Sequence, residues 1–550
     1  MPSTDSLLQL RSNAPGLPGP YLQENLAPYQ LLDAMGKASP RSILAIGGRA
    51  KSQYLAREFS TTIDHHETPS VALASLDHKT IWLDCELHSH QMPRIKAKSS
   101  TAGCSRLHFL NSTAARVAKI AYPIYTDVLA LFSDVILIFV PDFGGLPQVV
   151  ELLSNWIKSS IEKGPQAYSR IILLHREVVA DTEVKSLVLA RLASHLRASC
   201  PTEAYSSKAM MDMMNKCFRI HNLPLQSGHR QWLLSEVAAA FHDRRRRGLH
   251  FKAHHFKWLL QAGISQYAEQ PSVRFNPISS SRLQCLLPER LGDCLATFLG
   301  GVKTIGGSEI NLVASALVMD AYPPGMHCEC TSDLSFLPEA LFERLYAGPA
   351  KECEKIIKLP GLAASIKRDF ITLVGENREI GVEPVQTHLG RVQGNPTMRC
   401  TYHESICAFC IIQIPMFTLD CRHRLCETCI LSHGTSLGSW RVALTCCPVC
   451  QGPNTPTIIL RPPTASKRVL NLGGGDAEKT MQFLRDLERS VGVHSIALRE
   501  LFDGIIGSDI GMSPFAPRPE CSLTSKEYSL CSLPSYKAGA SQTVNITSRA

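Results

Sequence analysis

The chain of 550 residues is long enough for about three or four domains, each with its own core. With 44% hydrophobic and 19% charged residues, its composition excludes a fully disordered or fibrous protein. A formal net charge of +9 permits contact with nucleic acid or an anionic lipid surface, but it is too mild to indicate a specific nucleic-acid partner.

The sequence predicts an intracellular, cytoplasmic protein. Its N-terminus has no basic stretch followed by a long apolar segment, so we expect no signal peptide. The most apolar stretch, residues 128–140, is interrupted by Ser133 and Asp134 and is too short to be a transmembrane segment. In a reducing compartment, 20 cysteines indicate buried thiols and metal ligands rather than a disulfide framework.

The N-terminal part of the chain predicts a multidomain α/β protein. Residues 1–40, with Pro, Gly, Ser and Gln, predict a flexible leader. Residues 41–200 predict an NTPase-like domain with a parallel sheet, because continuous apolar strands alternate with amphipathic helices. The predicted strands are SILAIG, TIWLDCE, DVILIFV and RIILLH, and the helix between the last two is LPQVVELLSNWIKSSI. Residues 201–395, with apolar residues at helical spacing, predict a mainly helical region.

A loop within residues 43–55 resembles the phosphate-binding loop of P-loop NTPases. Lys51 and Ser52 follow a predicted strand and open a helix, where that family has its phosphate-binding lysine and its Mg²⁺-binding serine. Ala45 and Ala50 stand where the family pattern has glycine. The resemblance implies nucleotide binding through Lys51 and Ser52. The alternative is an ordinary strand-to-helix turn with a surface lysine.

Seven cysteines and one histidine cluster within residues 400–452. Their order is Cys407-x2-Cys410, Cys421-x-His423, Cys426-x2-Cys429 and Cys447-x2-Cys450. Zinc takes four nitrogen or sulfur ligands, and a Cys-x2-Cys turn directs two thiolates to one ion, so these eight ligands predict two Zn²⁺ ions. Because no coordination position stays open, the metal is structural and no catalytic residue is assigned. Cys447, rather than the adjacent Cys446, gives the regular Cys-Pro-Val-Cys turn.

This order and spacing resemble the RING finger. In that family the ligand pairs interleave as a cross-brace, which implies one zinc on Cys407, Cys410, Cys426 and Cys429, and the other on Cys421, His423, Cys447 and Cys450. RING fingers recruit a ubiquitin-conjugating enzyme and activate its thioester without a nucleophile of their own. The resemblance implies that Phe409 and Trp440 contact this partner. Gln451 stands where the family often has a basic residue, and a zinc-stapled spacer is the alternative.

Residues 468–511 resemble the start of a patatin-like lipid acyl hydrolase. The order of a strand, a glycine-rich turn, a helix and a strand leading into a Gly-x-x-x-Gly turn is similar to that family. The family's oxyanion hole would correspond to Gly473, Gly474 and Gly475. Asp509 occupies the nucleophile position, and a carboxylate is a poor acyl-transfer nucleophile, so we expect no hydrolysis from this degenerate site.

Two further stretches predict segments without regular structure. Residues 453–467 are interpreted as a linker, and residues 512–550, rich in Ser, Pro and Thr, as a disordered tail. The whole order is similar to fungal multidomain patatin-like proteins, in which the finger precedes the hydrolase domain. Three function hypotheses follow: a ubiquitin ligase centred on the finger, a lipid acyl hydrolase of lipid metabolism with a structural finger, and a nucleotide-dependent regulator.

Overall fold

The computed structural model describes most of the chain. The described residues are 6–11, 20–59, 70–86, 105–110, 117–163, 169–177, 179–199, 206–226, 228–282, 287–322, 335–400, 403–438, 440–455, 457–460, 469–472, 482–486 and 504–507. The chain divides into unit 1, Met1–Leu286 with Ala321–Leu345, and unit 2, Leu287–Asp320 with Tyr346–Ala550. The helical region predicted at 201–395 is therefore shared between the two units.

Strands and helices alternate through unit 1, and helices dominate the first part of unit 2. The strands are β1 (Ser6–Arg11), β2 (Tyr21–Asn25), β3 (Arg41–Ile46), β4 (Ser70–Ser75), β5 (Thr80–Cys85), β6 (Ser105–Phe109), β7 (Val135–Phe139), β8 (Ser169–His175), β9 (Phe218–Pro224), β10 (Phe417–Thr418), β11 (Arg424–Leu425), β12 (Thr435–Gly438), β13 (Arg441–Ala443), β14 (Thr457–Ile459), β15 (Val469–Leu472) and β16 (Gly504–Gly507). The α-helices are α1 (Gln30–Met35), α2 (Arg49–Phe59), α3 (Val117–Pro123), α4 (Leu146–Lys163), α5 (Asp181–Ser199), α6 (Ser207–Cys217), α7 (Arg230–Arg246), α8 (Ala253–Glu269), α9 (Pro277–Ser280), α10 (Leu291–Gly300), α11 (Gly307–Ala321), α12 (Pro338–Leu341), α13 (Ala347–Ile357), α14 (Leu362–Ile380), α15 (Pro384–Gly394), α16 (Pro396–Cys400) and α17 (Glu427–His433).

Unit 1 is built on a nine-stranded sheet in the order β6-β2-β1-β4-β5-β3-β7-β8-β9. The strands β5, β3, β7, β8 and β9 are parallel to one another, as the sequence predicts for this domain. The sheet is nevertheless mixed, because β4 runs antiparallel to β5 and β1, and β2 runs antiparallel to β1 and β6. Strand β9 lies beyond residue 200, so the α/β domain extends past its predicted boundary.

The continuous apolar strands form the core of unit 1. Every residue of β5, β7 and β8 is buried, and such strands are typical of a sheet covered on both faces. One side of the core joins the sheet to α2 and α7. Its residues are Ile43, Ala45, Tyr54, Leu55, Phe59, Trp82, Val135, Leu137, Phe139, Ile172, Leu174, Leu233, Val237 and Ala240. The four predicted strands and the helix at LPQVVELLSNWIKSSI are confirmed.

The predicted flexible leader is wrong for the described part of residues 1–40. Strand β1 pairs with β2 and with β4, and β2 pairs with β6. Leu7, Leu8 and Leu10 are buried. Composition misses these strands because a short strand is stabilised by the sheet that it joins, and the partners that attach β1 and β2 to the sheet, β4 and β6, lie far away in the chain.

Unit 2 combines a helical layer with the cysteine-rich segment. Helix α10 packs on α13, α13 on α14, and α15 on both α14 and α16. The cysteine-rich segment contains the β10–β11 hairpin, helix α17 and the sheet β12-β13-β14. Strand β14 pairs with β13 over three residue pairs, from Arg441↔Ile459 to Ala443↔Thr457. The predicted linker at 453–467 therefore contains the third strand of this sheet.

The segment after residue 460 shows one parallel strand pair. Strand β15 pairs with β16 in a register that runs from Val469↔Gly504 to Leu472↔Gly507. The predicted tail at 512–550 lies outside the described residues. Within the described parts of the chain, no helix is both long enough and apolar enough to cross a bilayer.

Candidate metal centre

The first cysteine cluster joins two short loops of unit 2. Cys407 and Cys410 lie on one turn, while Cys426 precedes α17 and Cys429 lies in its first turn. Their four Sγ atoms all lie within 4.8 Å of one another, and all four residues are buried. The Cys426 amide donates a hydrogen bond to the Cys407 Sγ at 3.3 Å. Four converging sulfur donors form the closed set that structural zinc takes.

The second cluster contains one imidazole among three thiols. The ligand atoms of Cys421, His423, Cys447 and Cys450 also lie within 4.8 Å of one another. The His423 Nδ1 is 3.3 Å from the Cys421 Sγ, and its Nε2 is 3.3 Å from the Met398 carbonyl oxygen. Because a carbonyl only accepts, Nε2 carries the proton and Nδ1 presents its lone pair to the thiols. Burial lowers the pKa of His423, which keeps the imidazole in its neutral, metal-binding form.

The two clusters interleave along the chain. The first and third ligand pairs form one cluster, and the second and fourth pairs form the other. All eight donors are sulfur or imidazole nitrogen, which suits zinc and not Mg²⁺ or Ca²⁺. The eight predicted ligands can therefore hold two zinc ions. With four protein ligands for each ion, such sites stabilise a fold and do not provide a position for a reacting water.

Left-handed backbone conformations follow three of the ligand turns. Ile411, Arg422 and Gln451 each come directly after a cysteine ligand and have φ angles of 54°, 70° and 62°. The Ile411 amide donates to the Cys407 carbonyl at 2.9 Å, and the Gln451 amide donates to the Cys447 carbonyl at 2.8 Å. A non-glycine residue in this conformation is strained by about 1–2 kcal/mol. A metal ion held by these ligands would fix each turn and offset part of this strain.

The adjacent cysteines before the last turn differ in burial. Cys447 is buried and contributes its Sγ to the second cluster, whereas Cys446 is exposed and belongs to neither cluster. Cys446 instead forms an isolated antiparallel bridge with Pro453. The structure thus agrees with the choice of Cys447 from the sequence, and it makes Cys446 a matched control for substitution of a ligand.

The two residues assigned to partner contact lie in different environments. Phe409 is only 1% exposed, because its ring packs against His388 of α15 and His433 of α17, at centroid distances of 4.9 and 4.4 Å. Trp440 is 45% exposed and has a φ of 58°. The two side chains therefore do not share one exposed surface. In this conformation Phe409 is not accessible to a partner, because elements of the same unit cover it.

Lys51, which the P-loop resemblance assigns to phosphate binding, is 0% exposed. Its Nζ lies 2.6 Å from the Asp84 Oδ1 and 3.5 Å from the Glu86 Oε1, and it donates to the Cys85 carbonyl at 3.1 Å. Both carboxylates are buried as well. The alternative of a surface lysine is therefore wrong, and the lysine charge is balanced inside unit 1.

Asp142 fills the loop between β3 and α2. Its carboxylate accepts hydrogen bonds from the amides of Gly48, Ala50 and Lys51 at 2.7, 2.9 and 3.0 Å. Amides at such a helix N-terminus are the groups that face a phosphate in a P-loop. The Ser52 hydroxyl donates to the Gly48 carbonyl at 3.1 Å. The loop thus already holds an anionic group of its own chain, from 91 to 94 residues away, which no local sequence signal reveals.

The patatin-like positions lie outside the described residues. This applies to Gly473, Gly474, Gly475 and Asp509. The strands next to them in sequence, β15 and β16, are parallel, as an α/β fragment requires. No geometry of an oxyanion hole or a nucleophile follows from these two strands.

Comparisons with known proteins do not assign a family. No protein-family model matches the chain, and no curated protein matches it. Among solved structures, an ADP-ribosylation-factor-like GTP-binding protein (a small COPII coat GTPase) from Encephalitozoon cuniculi, in complex with GDP, is 14% identical in sequence. The alignment covers 44% of this chain and 88% of that chain, with a TM-score of 0.18. A TM-score this low supports no conclusion about fold or ligand.

Proposed function

We propose that this chain is a RING-type zinc-finger protein that recruits a ubiquitin-conjugating enzyme. The observation that carries the proposal is the interleaving of the two clusters, because the first and third ligand pairs share one site and the second and fourth share the other. This is the cross-brace arrangement that the RING resemblance implies. The finger supplies no nucleophile; the thioester and its chemistry belong to the partner enzyme.

An exposed apolar set on the finger's sheet supports a protein partner. Leu437 on β12, Trp440 before β13 and Ile459 on β14 are all exposed. Trp440 also adopts a left-handed backbone conformation, which is unfavourable for a bulky residue and is typical of functional positions. Exposed tryptophan is a common anchor residue in protein interfaces.

The first test measures ubiquitin discharge from a panel of conjugating enzymes. The full chain is expected to accelerate discharge above the rate of the enzyme alone, and Trp440→Ala is expected to reduce this acceleration about tenfold, as for an interface anchor. Cys407→Ser, which removes a zinc ligand, is expected to abolish it.

Ile380→Ala is the matched control, since Ile380 is also a large exposed apolar residue of unit 2 but lies on α14. Equal losses from Trp440→Ala and Ile380→Ala would argue against the sheet as a partner surface.

A purely structural finger is the second candidate, and the burial of Phe409 under α15 favours it. In that case the finger packs against the helical layer of unit 2 and binds no conjugating enzyme. A fully zinc-loaded chain that never accelerates discharge, with any conjugating enzyme and with α15 displaced, would support this candidate over the ligase.

The lipid acyl hydrolase alternative has weaker support. The parallel β15–β16 pair agrees with an α/β fragment, but Asp509 stands at the nucleophile position and would repel a developing oxyanion. Release of fatty acid from a lysophospholipid, lost on substitution of Asp509, would be needed to revive this alternative.

A further inference from the structure

Helix α15 lies over the finger at Phe409. His388, on the covered face of α15, is fully buried, and its Nε2 is 2.9 Å from the Phe409 carbonyl oxygen. The His388 Nδ1 is 2.7 Å from the Ser315 hydroxyl of α11. One side chain therefore connects the helical layer to the turn that carries the first two zinc ligands.

Each ring nitrogen of His388 faces one polar group. Burial lowers the pKa of His388 to about 4, so its ring is neutral at neutral pH. Since the Phe409 carbonyl only accepts, Nε2 carries the proton and donates. The one proton of the Ser315 hydroxyl is shared between the Leu312 carbonyl, at 2.8 Å, and the His388 Nδ1, at 2.7 Å. Both ring nitrogens thus have a polar partner in a buried position, and the bond from Nε2 to the Phe409 carbonyl makes this a specific contact.

Further contacts continue along the same side of the finger. The Gln393 Nε2, also on α15, donates to the Pro448 carbonyl at 3.4 Å, within the last ligand pair. Val392, one helical turn after His388, is buried. The Met398 carbonyl on α16 accepts from the His423 Nε2 at 3.3 Å. Helices α15 and α16 therefore contact loops of both zinc clusters.

We propose that α15 is an intramolecular cap on the Phe409 side of the finger, so that a conjugating enzyme reaches Phe409, the second contact that the RING resemblance implies beside Trp440, only after α15 has moved away. This inference rests on the ligase function proposed above. The capped state is an autoinhibited ligase. Because none of the eight zinc ligands lies in α15, the finger keeps both metal sites in the open state.

The glycine content of α15 is compatible with a helix that can move away from the finger. It contains Gly390 and ends at Gly394, and glycine lowers intrinsic helix stability. Gly381, with a φ of 71°, ends the preceding helix α14. The Thr387 hydroxyl donates to the Asn377 Oδ1 at 2.6 Å, which ties the start of α15 to α14. Release of α15 therefore breaks this hydrogen bond to α14 as well as the contacts of His388 with the finger.

The test compares full-length variants in the discharge assay. His388→Ala removes both hydrogen bonds and the ring contact with Phe409, and it is expected to raise the discharge rate about tenfold by populating the open state. Gln393→Ala, at the edge of the same contact, is expected to act in the same direction with a smaller effect. Gln386→Ala, on the exposed face of α15, is the matched control and is expected to leave the rate unchanged.

The possible outcomes separate this inference from the function on which it rests. If the wild type and both opening variants discharge ubiquitin at the same accelerated rate, α15 is not a cap, and the ligase proposal stands. If none of them exceeds the background while each retains two zinc ions per chain, the ligase proposal fails and the cap fails with it. Should His388→Ala lose zinc, Gln393→Ala decides between these outcomes.

Discussion

Replacing Cys410 with serine is expected to lower the zinc content from two ions per chain to about one and to unfold the finger. Cys410 is a buried ligand of the first cluster, and its loss leaves three thiols around an incomplete site. Structural zinc contributes about 10–16 kcal/mol of apparent binding free energy that is coupled to folding. The adjacent Phe409 packs against His388, so we expect α15 to lose protection from hydrogen exchange as well.

Cys446→Ser provides the control for this experiment. Cys446 is exposed and lies outside both clusters, so its substitution is expected to retain two zinc ions and to change the free energy of unfolding by less than about 0.5 kcal/mol. Metal analysis and thermal unfolding of both variants give the answer. Full zinc occupancy in Cys410→Ser, or equal losses in the two variants, would contradict the assignment of the first cluster.

Lys51→Ala is expected to destabilise unit 1 by about 3–5 kcal/mol, because it removes a buried cation that lies against two buried carboxylates. The Lys51 Nζ contacts Asp84 and Glu86, at 2.6 and 3.5 Å, where neither carboxylate has ready access to water. The result distinguishes a structural lysine from a phosphate-binding one. A lysine that binds phosphate can be removed with little loss of stability in the nucleotide-free protein. Denaturant unfolding in the absence of nucleotide measures the effect.

Ser52→Ala is the matched control at the next position. The Ser52 hydroxyl bonds only locally, to the Gly48 carbonyl, so we expect a loss below about 1 kcal/mol. Because Asp142 already accepts the loop amides, we also expect no nucleotide to raise the unfolding temperature of the wild type. A nucleotide-dependent stabilisation that disappears in both Lys51→Ala and Ser52→Ala would instead establish the P-loop interpretation.

The amino-acid sequence alone determined the features that depend on short-range chemistry. The ligand order from Cys407 to Cys450 predicts two metal sites because the two ligands of each pair are only two or three residues apart, and cysteine and histidine side chains at that spacing are typical of zinc sites. Strands β3, β5, β7 and β8 were predictable as well, since a continuous apolar run between helices is typical of a sheet covered on both faces.

Only the tertiary structure decided which surfaces remain accessible. Phe409 is apolar whether it meets a partner or α15, and nothing near it in sequence shows that His388 covers it. From sequence, Lys51 could be a phosphate ligand or a surface residue. The structure shows that its ammonium group instead contacts Asp84 and Glu86. Asp142 lies more than ninety residues from the loop from whose amides it accepts hydrogen bonds, and no local sequence pattern predicts this contact. Local sequence patterns indicate whether a side chain is buried or binds a metal. Which residues it contacts depends on how distant parts of the chain pack together.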